Sequence, residues 1–237
     1  MITDRIKITT MVKGTYLFIN FAIIFVPLLL SFEKRVFFFH KWLRVFFAIA
    51  IVGSVYVFWD VLATNLGHWW FNPRYVLGFK IGILPFEEIL FFVTAPFSCL
   101  FIYEVISFFH QDKPFVFNRR IMNLLIVAVL SAGFLCLGRD YTALSFWMLG
   151  LFLFIGMTYF RAMIEMQNVW IYLGICYLPF SIFNGILTSL PIVSYHPRAI
   201  LGLRVGTIPV EDFFYNLAYL GFILIVYKAI YFRGKGR

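Results

Sequence analysis

Long apolar segments separated by short polar loops run along nearly the whole chain. Seven such segments predict helices, each close to the length of about 20 residues that crosses a bilayer. They cover residues 14–32, 43–63, 82–103, 121–138, 141–160, 169–188 and 207–230. No run of alternating polar and apolar residues indicates a strand, and lipid offers no partner to an unpaired backbone group. The pattern therefore predicts an all-α polytopic membrane protein of about seven transmembrane helices.

The composition agrees with a membrane protein. Of the 237 residues, 62% are hydrophobic and only 13% are charged, which is about half the charged fraction of an average soluble domain. The length leaves no room for a separate soluble catalytic domain. The net charge of +9 comes from small basic groups between apolar runs, a spacing typical of loops that touch anionic lipid head groups. Nucleic-acid binding is therefore not expected.

The distribution of lysine and arginine between alternate loops predicts the orientation of the chain in the membrane. The loops after the first, third and fifth predicted helices, together with the C-terminal tail, carry more of these residues than the opposite side. We therefore expect a cytoplasmic C-terminus and an N-terminus on the outside.

The most informative feature is an internal repeat. Residues 72–92 (NPRYVLGFKIGILPFEEILFF) align without a gap with residues 196–216 (HPRAILGLRVGTIPVEDFFYN), at an offset of 124. Both copies keep a Pro-Arg pair, two glycines and a Pro-x-Glu-acid motif. The repeat predicts that residues 1–105 and 141–237 are two related halves of three helices each, linked by residues 106–140 with the fourth helix. Since that helix adds one crossing, the two halves are expected to be parallel, related by an axis along the membrane normal.

Four acidic residues of the two motifs are the first candidates for chemistry. Glu87, Glu88, Glu211 and Asp212 stand at the start of apolar segments. An ionised carboxylate within the membrane costs about 3 kcal/mol, so such residues usually face the protein interior and are functional. Proline and acids are also favoured in the first turn of a helix for structural reasons. We interpret the acids as functional because both copies keep two adjacent acids after Pro-x.

Four further polar residues are candidates for supporting the site. Asp60 and its counterpart Asn184 lie upstream of the two motifs, and we expect a buried polar pair across the repeat. Arg74 and Arg198 stand in the Pro-Arg pairs, where each could hold a carboxylate in place or bind lipid phosphate.

Aromatic residues are abundant around the motifs, and Trp59 and Phe86 are direct neighbours of the candidate polar residues. Ring faces attract cations, so an apolar cavity with aromatic walls and a few acids suits the protonation of an alkene and the sheltering of the resulting carbocation. The lone histidines His68 and His196 indicate structural or hydrogen-bonding roles, and no metal site is expected.

The two motifs together resemble those of the membrane-type lycopene cyclases, which are flavin-independent and occur as two small subunits or as one fused chain. The resemblance covers nearly the whole chain and rests on residues 85–88 (PFEE) and 209–212 (PVED). It implies a lycopene β-cyclase of a bacterial or archaeal cell membrane. In this reaction, an acid protonates the terminal double bond of a linear end, the tertiary cation closes a six-membered ring, and loss of a ring proton gives the β-ionone ring. Lycopene is thereby isomerised to γ-carotene and then to β-carotene, without net redox change.

The resemblance also implies the roles of the acids and the partners of the protein. Glu87, Glu88, Glu211 and Asp212 are the candidate proton donors and acceptors, and the sequence does not divide these roles between them. The Gly-x-Gly-x-x-Gly turn of the flavin-dependent cyclases is missing from the sequence, so no cofactor is expected. The partners are lycopene and membrane lipid. Ring type, carotenoid length, and association into a homo-oligomer or with other carotenoid enzymes stay open.

Three other functions fit parts of the pattern. A small transporter or proton channel shares the internal repeat and the membrane carboxylates, but the central helices are poor in the polar residues of a water-filled path. A retinal-binding photoreceptor needs a lysine near the middle of its last helix, whereas Lys228 lies at the end. Magnesium-dependent prenyl-lipid enzymes carry aspartate-rich motifs, which the sequence does not contain. The transporter or channel is therefore the main alternative.

Overall fold

The computed structural model describes residues 13–235, with side chains up to residue 230. Eight helices lie within this part of the chain: α1 (Thr15–Leu30), α2 (Trp42–Asn65), α3 (Phe86–Phe109), α4 (Arg119–Leu135), α5 (Asp140–Tyr159), α6 (Arg161–Ile164), α7 (Gln167–Ser189) and α8 (Val210–Lys235). A short 3₁₀ helix, Phe38–Lys41, leads into α2. The outermost ends of the two predicted halves and the basic side chains of the C-terminal tail lie outside the described residues.

Five of these helices, α2, α3, α5, α7 and α8, are long and apolar enough to cross a membrane. The shorter α1 is also apolar. Each predicted helical segment corresponds to one long helix, and α6 is an additional single turn. The chain is therefore a mostly helical membrane protein, while the number of seven crossings stays a prediction. Large apolar side chains such as Phe18, Phe25, Phe58 and Ile182 are exposed, as expected for surfaces that lie against lipid.

The prediction that the chain has no strands is wrong. Within the described residues, short strands form three antiparallel pairs: β1 (Trp69–Phe71) with β4 (Val193–Tyr195), β2 (Lys80–Ile81) with β3 (Leu84–Pro85), and β5 (Arg204–Val205) with β6 (Ile208–Pro209). The last two pairs are tight hairpins in the repeated motif. Gly82 and Gly206 each have a φ of 63° and occupy the first turn position, where glycine is favoured. Because the hairpins use the residues before the helices, α3 and α8 begin later than predicted.

The two halves are interlocked. Within each half the first long helix packs on the last, α1 on α3 and α5 on α8. The middle helices cross over, because α2 packs against α8 and α7 packs against α3. At these contacts the rings of Tyr56 and Tyr219 lie 4.5 Å apart, and those of Tyr103 and Tyr172 lie 5.6 Å apart. The linking helix α4 packs on α5.

The β1–β4 pair reveals how the halves are related. Trp70 pairs with Ser194, its own counterpart at the repeat offset, and the flanking residues pair symmetrically about them. A residue faces its own counterpart when a pseudo-twofold axis passes between the strands. The loops that follow β1 and β4 contact the starts of α1 and α5, where the Tyr16 N–H donates to the Tyr75 carbonyl and the Tyr141 N–H donates to the Ala199 carbonyl. The same loops lead through the hairpins into α3 and α8. The two copies of the motif therefore meet at one end of the molecule.

Candidate active site

A cavity of about 100 Å³ lies between the two halves, beside the β1–β4 pair. Its walls come from α1, α2 and α3 of the first half and from α5, α7 and α8 of the second. Most lining residues form repeat-equivalent pairs. Seven pairs lie at the offset of 124, which are Asp60/Asn184, Trp69/Val193, Phe71/Tyr195, Glu88/Asp212, Phe91/Tyr215, Phe92/Asn216 and Ala95/Tyr219. Tyr16 and Tyr141, 125 residues apart, form an eighth pair by their equivalent positions in the structure. The cavity is therefore one space on the pseudo-twofold axis, shared by both halves.

The buried carboxylate of Asp212 is held by three hydrogen-bond donors from three different elements. Its Oδ1 accepts from the Tyr141 hydroxyl at 2.6 Å, and its Oδ2 accepts from the Asn184 amide and from the Tyr195 hydroxyl, each at 2.8 Å. Burial and, next, the charge of Asp212 raise the pKa of Tyr195 well above its usual value, so this hydroxyl stays a neutral donor. Both carboxylate oxygens of Asp212 are thus engaged.

Glu88, the counterpart of Asp212, has fewer hydrogen-bond partners among residues 13–230. Its Oε2 accepts from the Tyr16 hydroxyl at 2.5 Å, a bond equivalent to that between Tyr141 and Asp212. Asp60, which also lines the cavity, accepts from the indole N–H of Trp69 at 2.6 Å through Oδ1. Three carboxylates therefore face one cavity. The expected direct pair of Asp60 and Asn184 is not formed, since each bonds to a different partner.

Glu87 and Glu211 do not line the cavity. In each motif the first acid turns back toward the preceding loop, where Oε1 accepts the backbone N–H of Leu77 or Leu201 at 2.6 Å. The Thr142 hydroxyl also donates to Glu211 at 2.6 Å. The geometry thus separates the first acid of each motif, which ties the loop to the helix start, from the second, which faces the cavity.

The comparison with known proteins shows which family the chain belongs to. A sequence model described as Lycopene cyclase matches residues 13–106 and 138–230, which is one match in each half and more than half of the chain in total. The chain belongs to the lycopene cyclase family. Neither the curated proteins nor the solved structures gave a match. The family implies a cyclase that acts on a carotenoid, and the five long apolar helices agree with a location in the membrane.

The remaining predicted residues of this lycopene cyclase lie outside the cavity. Arg74 and Arg198 are exposed, and their described hydrogen bonds are donated by the backbone N–H, to Asn72 and to the neighbouring histidine respectively. The expectation that they hold a carboxylate is not supported, while contact with lipid phosphate stays a prediction. Trp59 and Phe86 pack in neighbouring aromatic clusters.

Sequence reasoning missed the tyrosines that bind the carboxylates of the cyclase. Tyr16 and Tyr141 lie in the first turns of α1 and α5, outside the aligned motif. Extending the repeat comparison to these helices with a shift of one residue would have found them. Tyr195 gives no such signal, because its counterpart in the first half is Phe71.

Proposed function

We propose that the chain is a lycopene β-cyclase, which closes β-ionone rings at the linear ends of lycopene by acid catalysis. The observation that carries the proposal is the presence of Glu88 and Asp212 on one cavity with mainly apolar and aromatic walls. Acid-catalysed cyclisation of an alkene needs one group that gives a proton and one that takes a proton, before and after a cation. A cavity with two carboxylates supplies both groups.

The reaction begins when a protonated carboxyl group transfers its proton to the terminal double bond. The π electrons form the new C–H bond and leave a tertiary cation on the neighbouring carbon. The next double bond along the chain attacks this cation, which closes the six-membered ring and moves the positive charge into it. A carboxylate then removes the adjacent ring proton, and the C–H electrons become the ring double bond. Substrate and product are isomers, because one proton enters and one leaves.

The aromatic walls suit the cavity to a cationic intermediate. Trp69, Phe91, Phe92, Tyr215 and Tyr219 line it, and each ring face that meets a desolvated cation contributes about 0.5–2 kcal/mol. The mainly apolar lining of the same space disfavours water, which would capture the cation as an alcohol. The walls therefore favour ring closure over hydration.

Both ends of lycopene use the same cavity in turn under this proposal. One cavity on the axis between the halves supports a single site better than one site in each half. The one-ringed γ-carotene is therefore the expected intermediate, and β-carotene the final product. The cell membrane of a bacterium or archaeon, with the C-terminus in the cytoplasm, is the proposed location.

Expression in bacteria that accumulate lycopene, followed by pigment chromatography, tests the proposal. We expect β-carotene, with γ-carotene at early times. Glu88→Gln keeps the side-chain shape and is expected to abolish ring formation. Glu33→Gln changes a partly exposed carboxylate at the far end of α1 and serves as the control with normal product. Unchanged lycopene from a well-expressed, membrane-inserted protein would contradict the cyclase function, whereas rings of another type would correct only the β assignment.

A further inference from the structure

The two halves of the cavity differ in their hydrogen-bond donors. In the second half, Asn184 and Tyr195 both donate to the cavity carboxylate. The repeat-equivalent positions of the first half hold Asp60 and Phe71. A carboxylate thus replaces an amide donor, and a phenyl ring replaces a hydroxyl donor. Glu88 is therefore left with an acidic neighbour where its counterpart has two donors.

We propose that Glu88, sharing one proton with Asp60, is the proton donor of the cyclisation and that Asp212 is the proton acceptor. This inference rests on the proposed cyclase function and assigns one role to each half of the duplicated chain. Asp60 is a positioning residue, because it acts through Glu88 by keeping a proton on the pair.

The acceptor role of Asp212 follows from its hydrogen bonds. A carboxylate that accepts several hydrogen bonds is stabilised in its ionised form, because each donor directs a partial positive charge at it. Asp212 accepts three, from Tyr141, Asn184 and Tyr195. Protonation of either oxygen would weaken at least one of these bonds. An ionised, fixed carboxylate is the group that removal of the ring proton requires.

Asp60 and Glu88 present the opposite case. Two ionised carboxylates on one buried cavity repel each other, so the pair is more stable when it holds one proton. Asp60 Oδ2 is buried and has no hydrogen-bond partner among the described residues, so no donor stabilises a negative charge on this oxygen. Within the described part of the chain, Glu88 has a single donor, Tyr16. Glu88 lines the cavity, from which it can protonate a substrate carbon.

For each ring that forms, the enzyme gives one proton and takes back one. Glu88 loses one proton to the terminal double bond, and Asp212 gains one from the ring after the C–C bond has formed. Before the second end is processed, Asp212 releases its proton to solvent and the pair of Asp60 and Glu88 takes up a new one from solvent. The three donors to Asp212 favour this release. All three carboxylates line the same cavity, and no oxidant, reductant or other reactant is consumed.

Cyclisation in D₂O distinguishes the proton donor from the proton acceptor, because a carbon protonated by the enzyme acquires deuterium. Purified full-length protein in phospholipid vesicles is given unlabelled lycopene, and mass spectrometry measures deuterium in both the product and the recovered lycopene. Wild type is expected to add one deuterium for each ring. Glu88→Gln is expected to form no ring and to return lycopene without deuterium.

Asp212→Asn is expected to protonate the substrate but not to complete the ring. The cation then loses a proton back to Glu88, so the recovered lycopene carries deuterium while ring formation falls at least about 100-fold. Asp60→Asn keeps a carbonyl that accepts from Trp69 and removes the negative charge that favours a proton on Glu88. For this variant we expect the deuterium content of the recovered lycopene and the rate of ring formation to fall together, by about tenfold or more.

Three results would overturn the assignment. Labelled lycopene from Glu88→Gln with unlabelled lycopene from Asp212→Asn would reverse it. Unlabelled lycopene from both would show that protonation needs both carboxylates. Normal labelling by Asp60→Asn would exclude the shared proton. A wild-type protein that makes no rings would instead refute the proposed function itself.

Size-exclusion chromatography and thermal unfolding show whether each variant is folded. If Asp60→Asn is unfolded, Phe71→Tyr gives the second test, because it adds to the first half the hydroxyl that Tyr195 has in the second. The expected result is again a joint fall in labelling and ring formation. If Asp212→Asn is unfolded, Tyr195→Phe removes one donor from the acceptor, and ring completion should slow more than labelling.

Discussion

The two adjacent acids at the start of α3 allow a matched comparison. Glu88 lines the cavity, whereas Glu87 accepts the backbone N–H of Leu77. We expect Glu87→Gln to retain ring formation within about tenfold and Glu88→Gln to lose it. Each variant replaces one buried carboxylate by an amide of the same shape, so the two differ only in the direction of the side chain.

The contacts of Glu87 give the size of its structural effect. A hydrogen bond to a charged group contributes about 1.5–3 kcal/mol, and a neutral one about 0.5–1.5 kcal/mol. Glutamine keeps an acceptor for Leu77 and so loses about 1 kcal/mol. Its amide replaces Oε2, which is buried without a partner among the described residues, and an unsatisfied donor there costs about 1–2 kcal/mol more. The combined loss in the free energy of unfolding lowers the melting temperature by roughly 4–12 °C.

Thermal unfolding of the purified protein, followed by size-exclusion chromatography, measures this loss, and pigment chromatography measures ring formation. Glu87→Gln should melt earlier and still form rings, whereas Glu88→Gln should form none. A Glu87→Gln protein with unchanged melting temperature and no rings would refute the separation of roles. In the second half, Glu211→Gln should lose more stability, because Thr142 also donates to that acid.

Three further variants test other parts of the structure. Tyr141→Phe removes one of three donors to the second-half carboxylate, and pigment chromatography should show ring formation reduced about tenfold. Gly221→Ala places a carbon 2.3 Å from the buried ring of Phe152 and should cost about 1–3 kcal/mol in thermal unfolding. Gly174→Ala, whose added carbon meets nothing within 4 Å, is its control and should melt no earlier. Arg74→Gln should form rings within about twofold of wild type, because an exposed side chain away from the cavity contributes little; a tenfold loss would contradict its placement.

The helices could be predicted from the sequence because an apolar segment of about 20 residues is a long and repeated signal. The starts of α3 and α8 could not. The hairpins before them have strands of only two residues, too short for an alternating pattern to appear. Gly82 was the available indication of the hairpin, since a glycine at the same position in both copies of the motif is typical of a turn with positive φ.

The candidate site was predictable only in part. The repeat identified the acids, but consecutive helical residues point about 100° apart, and the packing of α3 on α1 decides which of Glu87 and Glu88 meets the cavity. That packing depends on contacts between distant parts of the chain. The donor Tyr195 lies on a strand that forms only when β4 meets β1, so nothing local in the sequence indicates it.

The exchange of middle helices between the halves has a consequence for how the protein is synthesised. α2 packs on α8, which is synthesised after the other described helices, so the newly made first half stays in the bilayer with this packing surface against lipid until α8 is made. Such distant contacts slow folding, and the waiting surface is open to association with wrong partners. Translation of α8 then supplies a packing surface to both halves at once, and the cavity is complete only when α8 is in place.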